Sequence, residues 1–332
     1  MIGESLPAAR TDFVPILIVP VLALAMLPLV GSFPAWVTLT LAGLAMGMMI
    51  FIMASGLTLV FGLMDVLNFA HGAFVAVGAY AATLVLLRLG GWTAVDSLPL
   101  NVAAIALAVG VAMVITGAVG LLFERLLLRR VYGQHLRQIL VTMGGAIVVE
   151  QLLTVIWGPD QIALPLPEAL RGALVFGDVA VEKYRLLAVA IGLAVFAGMF
   201  LVLNRTRLGL LIRAGVENAP MVEALGYRIR RLFIAVFVAG SALAGLGGVL
   251  WGLYREIITA TMGAEIVVLV FIVIIIGGLG SVGGCFIGAL ITALVANYTG
   301  FLVPKVALAS NILVMVAILL WRPAGLYPPA RS

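Results

Sequence analysis

The sequence predicts an all-α fold, a polytopic transmembrane helical bundle with about 8–10 membrane segments, some of them broken or re-entrant. Of its 332 residues, 64% are hydrophobic and only 10% are charged, whereas soluble domains are about half apolar and about a quarter charged. The mean hydropathy of +1.27 shows the same excess of apolar residues over the whole length of the chain. The apolar runs are continuous, which favours spanning helices over the alternating pattern of a β-barrel.

Ten apolar segments follow one another along the chain, and most approach the roughly 20 residues that a helix needs to cross the hydrocarbon core. The run starting at Phe13 is interpreted as a retained first segment, because Glu4 and Asp12 precede it and no small-residue cleavage site follows cleanly. The third and ninth segments are candidates for re-entrant or broken helices. The segments cover approximately residues 13–30, 36–61, 70–88, 101–122, 138–157, 186–203, 232–254, 266–282, 284–300 and 307–321.

Arginine-rich loops predict the orientation of the chain. The loops 123–137 and 204–231 carry four and six arginines, and basic loops stay on the cytoplasmic side of a membrane. The loop 158–185 between them carries four acids against three bases and is expected outside. If all ten segments cross, both termini lie in the cytoplasm.

The stretches between the segments are too short to build a hydrophobic core of their own. The sequence therefore predicts one transmembrane domain over residues 1–332, with a membrane-embedded core at 13–321 and a cytoplasmic loop at 204–231. Any chemistry that needs a folded soluble domain is expected from a partner protein.

Several classes of site are excluded by the residues that are present. A phosphate-binding loop needs a Lys followed by Ser or Thr, but Lys183 precedes Tyr184 and Lys305 precedes Val306. With Cys285 as the single cysteine and only two histidines, we expect no disulfide, no metal site and no cofactor. The net charge of +5 is explained by cytoplasmic loops, so we expect no nucleic-acid partner.

The stretch Gly56–Tyr80 interrupts apolar sequence with polar residues. A helix starting near Asn68 would direct its unpaired N–H groups and positive dipole end at whatever lies before it. In transporters such broken helices often point at an anionic substrate group, so Asn68, His71 and Gly72 are candidates for a substrate pathway. The alternative is an ordinary interfacial turn in which His71 binds local backbone.

A second interruption places five glycines between Gly277 and Gly284, within a long apolar stretch. Because glycine is costly inside a helix, this density predicts a helix break or the close approach of another backbone. Paired breaks in opposite halves of a chain point to a central pathway. The candidates here are Gly277, Gly278, Gly280 and Ser281, and the alternative is tight helix packing.

Glu150 and Gln151 lie within the fifth segment. A charge at that depth is expensive and usually faces protein or a water-filled cavity. Either residue could line a pathway, or both could lie near the outer end and reach the interface.

The cytoplasmic stretch Arg213–Tyr227 predicts a short helix. Pro220 stands where a helix can begin and Gly226 where one can stop. The helix would carry a small apolar face, formed by Met221, Val222, Ala224 and Leu225. It is suited to docking in a groove of another protein, or to lying on the bilayer beside the following arginines.

Three stretches together resemble the permease subunits of branched-chain amino acid ABC importers, the LivH type more than its LivM partner. They are Gly56–Gly62 with Asn68–Gly72 and Gly78–Tyr80, then Arg213–Asn218 with Ala224–Gly226, and finally Gly277–Gly284. The resemblance covers nearly the whole chain after about residue 40. It implies a coupling helix inserted into an ATPase subunit, with Glu217, Glu223, Ala224 and Gly226 as its candidate residues.

The resemblance also implies partners and a function. It implies a second related permease, two ABC ATPase subunits and a periplasmic substrate-binding protein, in a bacterial inner membrane with lipid around the chain. The chain would be a non-catalytic permease that moves branched-chain or related amino acids by alternating access. Relatives of this type also move urea, short amides or aromatic carboxylates.

Two other classes compete with this interpretation. A channel or ion-coupled secondary transporter would need intramembrane titratable residues, and Asp65, His71 and Glu150 are the only candidates. An intramembrane enzyme would need a nucleophile–base pair or metal ligands, which one cysteine and two distant histidines hardly supply.

Overall fold

The computed structural model describes residues 14–217 and 219–327, apart from the side chains of residues 216, 217, 219, 220 and 308. The interpretation of the first residues, with Glu4, Asp12 and Phe13, lies outside the described residues.

The described chain is helical over most of its length, and the predicted all-α class is confirmed. A helix coincides with each of the ten predicted segments. The helices are α1 (Val14–Val30), α2 (Phe33–Met64), α3 (His71–Leu86), α4 (Gly90–Thr93), α5 (Leu98–Leu126), α6 (His135–Trp157), α7 (Lys183–Arg205), α8 (Arg207–Glu217), α9 (Ala219–Ala224), α10 (Ile229–Arg255), α11 (Met262–Gly277), α12 (Val282–Leu302) and α13 (Ala307–Trp321).

Six of these helices are long and apolar enough to cross a membrane, namely α2, α5, α6, α7, α10 and α12 within the described residues. Four shorter apolar helices, α1, α3, α11 and α13, accompany them. The third segment, α3, is short as expected, but the ninth, α12, is a continuous helix of 21 residues. The eighth segment, α11, is the short one instead, with 16 residues, because the glycine-rich break falls between α11 and α12.

The centre of the bundle is α2, which packs against α10, α12, α7 and α11. The side chains from Met49 to Met53 are fully buried. In the most apolar stretch of α2, 78% of the residues are buried, whereas the corresponding share is 17% in both α6 and α7. The helices α6 and α7 therefore lie at the periphery. Glycines allow the central helices to touch, since a Cβ on Gly240 would lie 2.7 Å from the carbonyl oxygen of Gly56.

Short strands mark one end of the bundle. The strands β2 (Ala173–Phe176) and β3 (Val179–Glu182) form an antiparallel hairpin, and β1 (Ile162–Ala163) pairs with β4 (Ile257–Ile258) after α10. We call this the hairpin end. The opposite end carries α8, α9 and the arginine-rich loops, and we call it the arginine end.

Candidate functional site

The chain breaks between α2 and α3 at residues 65–70. Asp65 ends α2 in the left-handed region, with φ of 50°, and its N–H donates to the carbonyl of Phe61. The side-chain oxygen of Asn68 accepts from the N–H of Ala70 at 3.1 Å, which forms a turn before the helix. The helix α3 begins at His71, three residues after Asn68 and one residue after the predicted start of the third segment at residue 70.

His71 fixes the depth at which α3 begins. Its Nε2 donates to the backbone carbonyl of Met53 at 2.7 Å, since a carbonyl can only accept. Met53 precedes the end of α2 at Met64 by about 16 Å along the helix axis. The short helix α3 therefore starts deep in the bundle, beside the middle of α2, and His71 is bound to backbone with only 1% of its surface exposed.

The first turn of α11 lies against the first turn of α3. A Cβ on Gly263 would lie 2.6 Å from the carbonyl oxygen of Gly72, and a Cβ on Gly72 would overlap the Gly263 carbonyl. The ring centroids of Phe69 and Phe271 are 4.6 Å apart, so the residues before α3 lie beside the third turn of α11. Because Gly72 contacts Gly263 while the earlier residue Phe69 contacts the later residue Phe271, the start of α3 and the start of α11 run antiparallel to each other.

The two short helices leave their contact in opposite directions. Gly78 of α3 packs on Gly245 in the second half of α10, towards the hairpin end. The turn after α11 packs on the last turns of α2, where a Cβ on Gly62 would lie 2.7 Å from the Cα of Gly280. The N-termini of α3 and α11 thus meet inside the bundle, where the amides of His71 and Ala264 donate to the carbonyls of Asn68 and Thr261 in the turns before each helix.

A groove of about 170 Å³ lies where these N-termini meet. We call it the α3–α6–α11 groove. Its lining residues are apolar apart from Glu150. The lining residues are Phe69, Ala73, Ala76, Met143, Ala146, Ile147, Glu150, Leu153, Ala260, Gly263, Ala264 and Val267.

The predicted pathway residues occupy different positions around this groove. Asn68, His71 and Gly72 adjoin it at the start of α3, but the groove is lined by their neighbours Phe69 and Ala73. Asn68 bonds the local backbone at Ala70, whereas His71 bonds the carbonyl of Met53 on α2, 18 residues away, and not the local backbone of a turn. A direct role in the pathway stays a prediction for all three residues.

The glycines from 277 to 284 form the tight turn between α11 and α12. Gly278 and Gly280 have φ of 98° and 86°, which suits glycine. The hydroxyl of Ser281 accepts from the N–H of Gly284 at 3.1 Å and caps α12. The break and the close backbone approach are both present, because the backbone of Gly277 also lies against Gly284. These residues do not line the α3–α6–α11 groove.

At the arginine end, α9 ends in a glycine cap. Gly226 has φ of +88°, and its N–H donates to the carbonyl of Glu223 at 2.9 Å. The N–H of Tyr227 donates to the carbonyl of Val222 at 3.3 Å, and this pair of bonds is a Schellman motif. The predicted helix stop at Gly226 is therefore confirmed.

The predicted coupling residues lie around this cap. Glu223, Ala224 and Gly226 are exposed, and the backbone of Glu217 ends α8, while its side chain lies outside the described part. Of the predicted apolar face, Val222 is buried, whereas Met221 and Leu225 are more than half exposed. A wide, open cleft beside the cap is rich in arginine, and its lining residues are Arg125, Arg129, Glu223, Gly226, Tyr227, Arg228, Arg230, Arg231 and Ile234.

Glu124, for which the sequence predicts no role, is fully buried at the arginine end. One of its oxygens accepts from the hydroxyl of Tyr132 at 2.9 Å. Burial, and then this hydrogen bond, raise the pKa of Tyr132 above its ordinary value, so the phenol stays a donor at neutral pH. A sequence signal for this buried carboxylate exists, because Glu124 is the single acid among four arginines in the loop 123–137.

Curated relatives cover most of this chain. It is 29% identical to the high-affinity branched-chain amino acid transport system permease protein BraD of Pseudomonas aeruginosa, over 86% of this chain and 93% of the relative. It is 26% identical to the permease protein LivH of Escherichia coli, over 86% and 92% respectively. A probable permease protein LivM of Methanocaldococcus jannaschii is 28% identical over 38% of this chain. No solved structure matches the chain significantly.

The family match spans the whole site. It extends over residues 39–321, from α2 to the end of α13, and therefore includes the meeting of α3 and α11, the groove and the α8–α9 region. The resemblance seen in three separate stretches of the sequence is thereby confirmed over most of its length. The chain belongs to the family of permease components of the branched-chain amino acid transport system.

Proposed function

We propose that this chain is the transmembrane permease subunit of an ATP-binding-cassette importer, moving branched-chain or related amino acids across the bacterial inner membrane by alternating access. The observation that carries the proposal is the meeting of the α3 and α11 N-termini beside a groove between these helices and the peripheral helix α6. Broken helices of opposite direction line the substrate sites of many transporters. We further propose that residues 1–332 act as one transmembrane domain with both termini in the cytoplasm.

The energy for transport comes from partners in this proposal. The chain has no lysine followed by Ser or Thr, and so no phosphate-binding loop. We assign ATP hydrolysis to two ABC ATPase subunits and regard the chain itself as non-catalytic. A second permease of the LivM type and a periplasmic binding protein complete the proposed assembly.

We assign the ATPase contact to α8, α9 and the cap at Gly226, within the loop 204–231. Met221 and Leu225 expose apolar surface there, and a short helix with exposed apolar residues is suited to docking in a groove. Glu217, Glu223, Ala224 and Gly226 are the proposed coupling residues. ATP binding would move this region and rock the membrane helices between outward and inward states.

The pathway residues act through backbone geometry in this proposal. Asn68, His71 and Gly72 would set where α3 begins and how closely α11 approaches. Gly277, Gly278, Gly280 and Ser281 would hold the α11–α12 turn against the end of α2. The helix N-termini at the groove favour a negative group such as the carboxylate of an amino acid.

Transport by the reconstituted complex tests the proposal. The chain is purified with its bound partner subunits and placed in liposomes with the binding protein and radiolabelled leucine. We expect leucine uptake that requires ATP on the side of the ATPase subunits. Uptake driven by an ion gradient without ATP would instead support a secondary transporter and contradict the proposal.

A further inference from the structure

We propose that the carboxylate of Glu150 binds the ammonium group of the transported amino acid in the α3–α6–α11 groove. This inference rests on the proposed function, because it names how the same pathway recognises its substrate. It adds a direct polar contact between the pathway and the substrate. The pathway residues predicted from the sequence, in contrast, position the backbone at the helix ends.

Glu150 supplies the only charge in the groove lining, which is otherwise apolar within the described residues. Ligand sites typically combine a mostly apolar wall with few polar groups that fix orientation. Ile147 and Leu153 on α6 and Val267 on α11 provide a surface for a branched aliphatic side chain. A volume of about 170 Å³ suits a molecule as small as an amino acid.

The carboxylate of Glu150 is available to a ligand. None of the ion pairs among the described residues includes Glu150. The hydroxyl of Thr154 donates to the backbone carbonyl of Glu150 and not to its carboxylate. The groove therefore contains a carboxyl group without a cationic partner from the described part of the chain, as an ammonium site requires.

Glu150 is half-buried, and its position along α6 argues for a protein-facing side chain. It precedes the end of α6 at Trp157 by seven residues, about 10 Å along the axis. A carboxylate at such depth is costly against lipid and usually faces protein or a water-filled cavity. Its neighbour Gln151 is exposed and does not line the groove, so the two polar residues singled out in the fifth segment have different surroundings.

The opposite wall of the groove complements the rest of the substrate. The first turns of α3 and α11 contribute Ala73, Gly263 and Ala264 to the lining. Helix N-termini favour a carboxylate, while Glu150 favours an ammonium group. An amino acid carries both groups, whereas urea, an amide or an aromatic carboxylate lacks the α-ammonium group.

The experiment compares Glu150→Gln with wild type in the complete importer in liposomes, using radiolabelled leucine. We expect ATP-driven leucine uptake to fall about tenfold or more, since a charge-assisted hydrogen bond is lost, with basal ATP hydrolysis within about twofold of wild type. Glu150→Asp keeps the charge and should retain more uptake than Glu150→Gln. Gln151→Ala, on the exposed side of the same helix, serves as the matched control and should leave uptake within about twofold.

A second measurement separates substrate binding from a structural role. Competition against leucine is measured with 3-methylbutylamine, which has the ammonium group only, and with 4-methylpentanoate, which has the carboxylate only. In Glu150→Gln we expect inhibition by the amine to weaken about tenfold, with inhibition by the acid unchanged. Equal weakening of both would indicate a structural role for Glu150 and overturn the inference.

The outcomes distinguish the two proposals. If Glu150→Gln takes up leucine within twofold of wild type, the Glu150 inference is wrong and the proposed function stands. If the wild-type complex moves no leucine with ATP, the proposed function is wrong and the Glu150 inference fails with it.

Discussion

At the scale of single residues, the close approach of α3 and α11 depends on two glycines. Gly72 and Gly263 each face the other's backbone, and neither position has room for a Cβ. Small residues at helix contacts allow this kind of approach in membrane proteins. The position of the two helix N-termini, and with it the groove, therefore depends on the absence of two side chains.

Gly72→Val should destabilise the chain by about 2 kcal/mol, because a rigid backbone carbonyl occupies the space of the new side chain. The measurement is thermal unfolding of the detergent-purified protein. Gly110→Ala, in α5 with nothing within 4 Å of its Cβ position, is the control and should be neutral or slightly stabilising. Equal melting temperatures for both variants would contradict the proposed close packing.

Tyr132→Phe should destabilise the arginine end by about 1–3 kcal/mol, because the buried carboxylate of Glu124 loses a hydrogen-bond donor. Thermal unfolding near neutral pH measures the loss. In a double-mutant cycle with Glu124→Gln, the two changes should be strongly non-additive. Additive effects would mean that the hydrogen bond contributes little to stability.

At the scale of elements, α3 and α11 differ from the other membrane segments in where they begin. Each has 16 residues, about 24 Å in length, and each starts inside the bundle beside the other. The sequence predicted a break near Asn68 and a second one within residues 277–284. It did not predict that Gly72 would meet Gly263, since no local signal relates positions so far apart.

The proposed coupling element, α8 and α9 with the Gly226 cap, gives a prediction of its own. Gly226→Ala places a Cβ at a φ of +88°, which costs about 1 kcal/mol and disturbs the end of α9. We expect Gly226→Ala and Glu223→Ala to lower leucine uptake while ATP hydrolysis continues. Gly198→Ala, in α7 with open space around its Cβ, should leave both rates near wild type. Unchanged uptake in both test variants would refute the assigned docking region.

At the scale of the whole molecule, charge distribution sets the expected orientation. Arginines concentrate at the end that carries α8 and α9, while the strands β1 to β4 mark the other end. Basic loops remain in the cytoplasm because they are not translocated readily. The arginine end is therefore expected inside the cell and the hairpin end outside.

Cysteine labelling tests this orientation. The single native cysteine, Cys285, is buried and should give little background. In intact cells, Asp178→Cys in the turn of the β2–β3 hairpin should react with a membrane-impermeant maleimide. Leu225→Cys, exposed near the α9 cap, should react only after the membrane is opened. The reverse labelling pattern would invert the assigned topology.

The sequence by itself determined the membrane environment, the helical class, the approximate position of every segment and the family, because composition and hydropathy are local and continuous signals. It also located the helix stop at Gly226, since a glycine cap is a local feature. Only the tertiary structure decided which breaks meet and which residues line the groove. Glu150 and Gln151 were adjacent candidates in the sequence. The packing of α3, α6 and α11 distinguished them, because only Glu150 lines the groove. The surroundings of a side chain depend on contacts between residues that are distant in the chain.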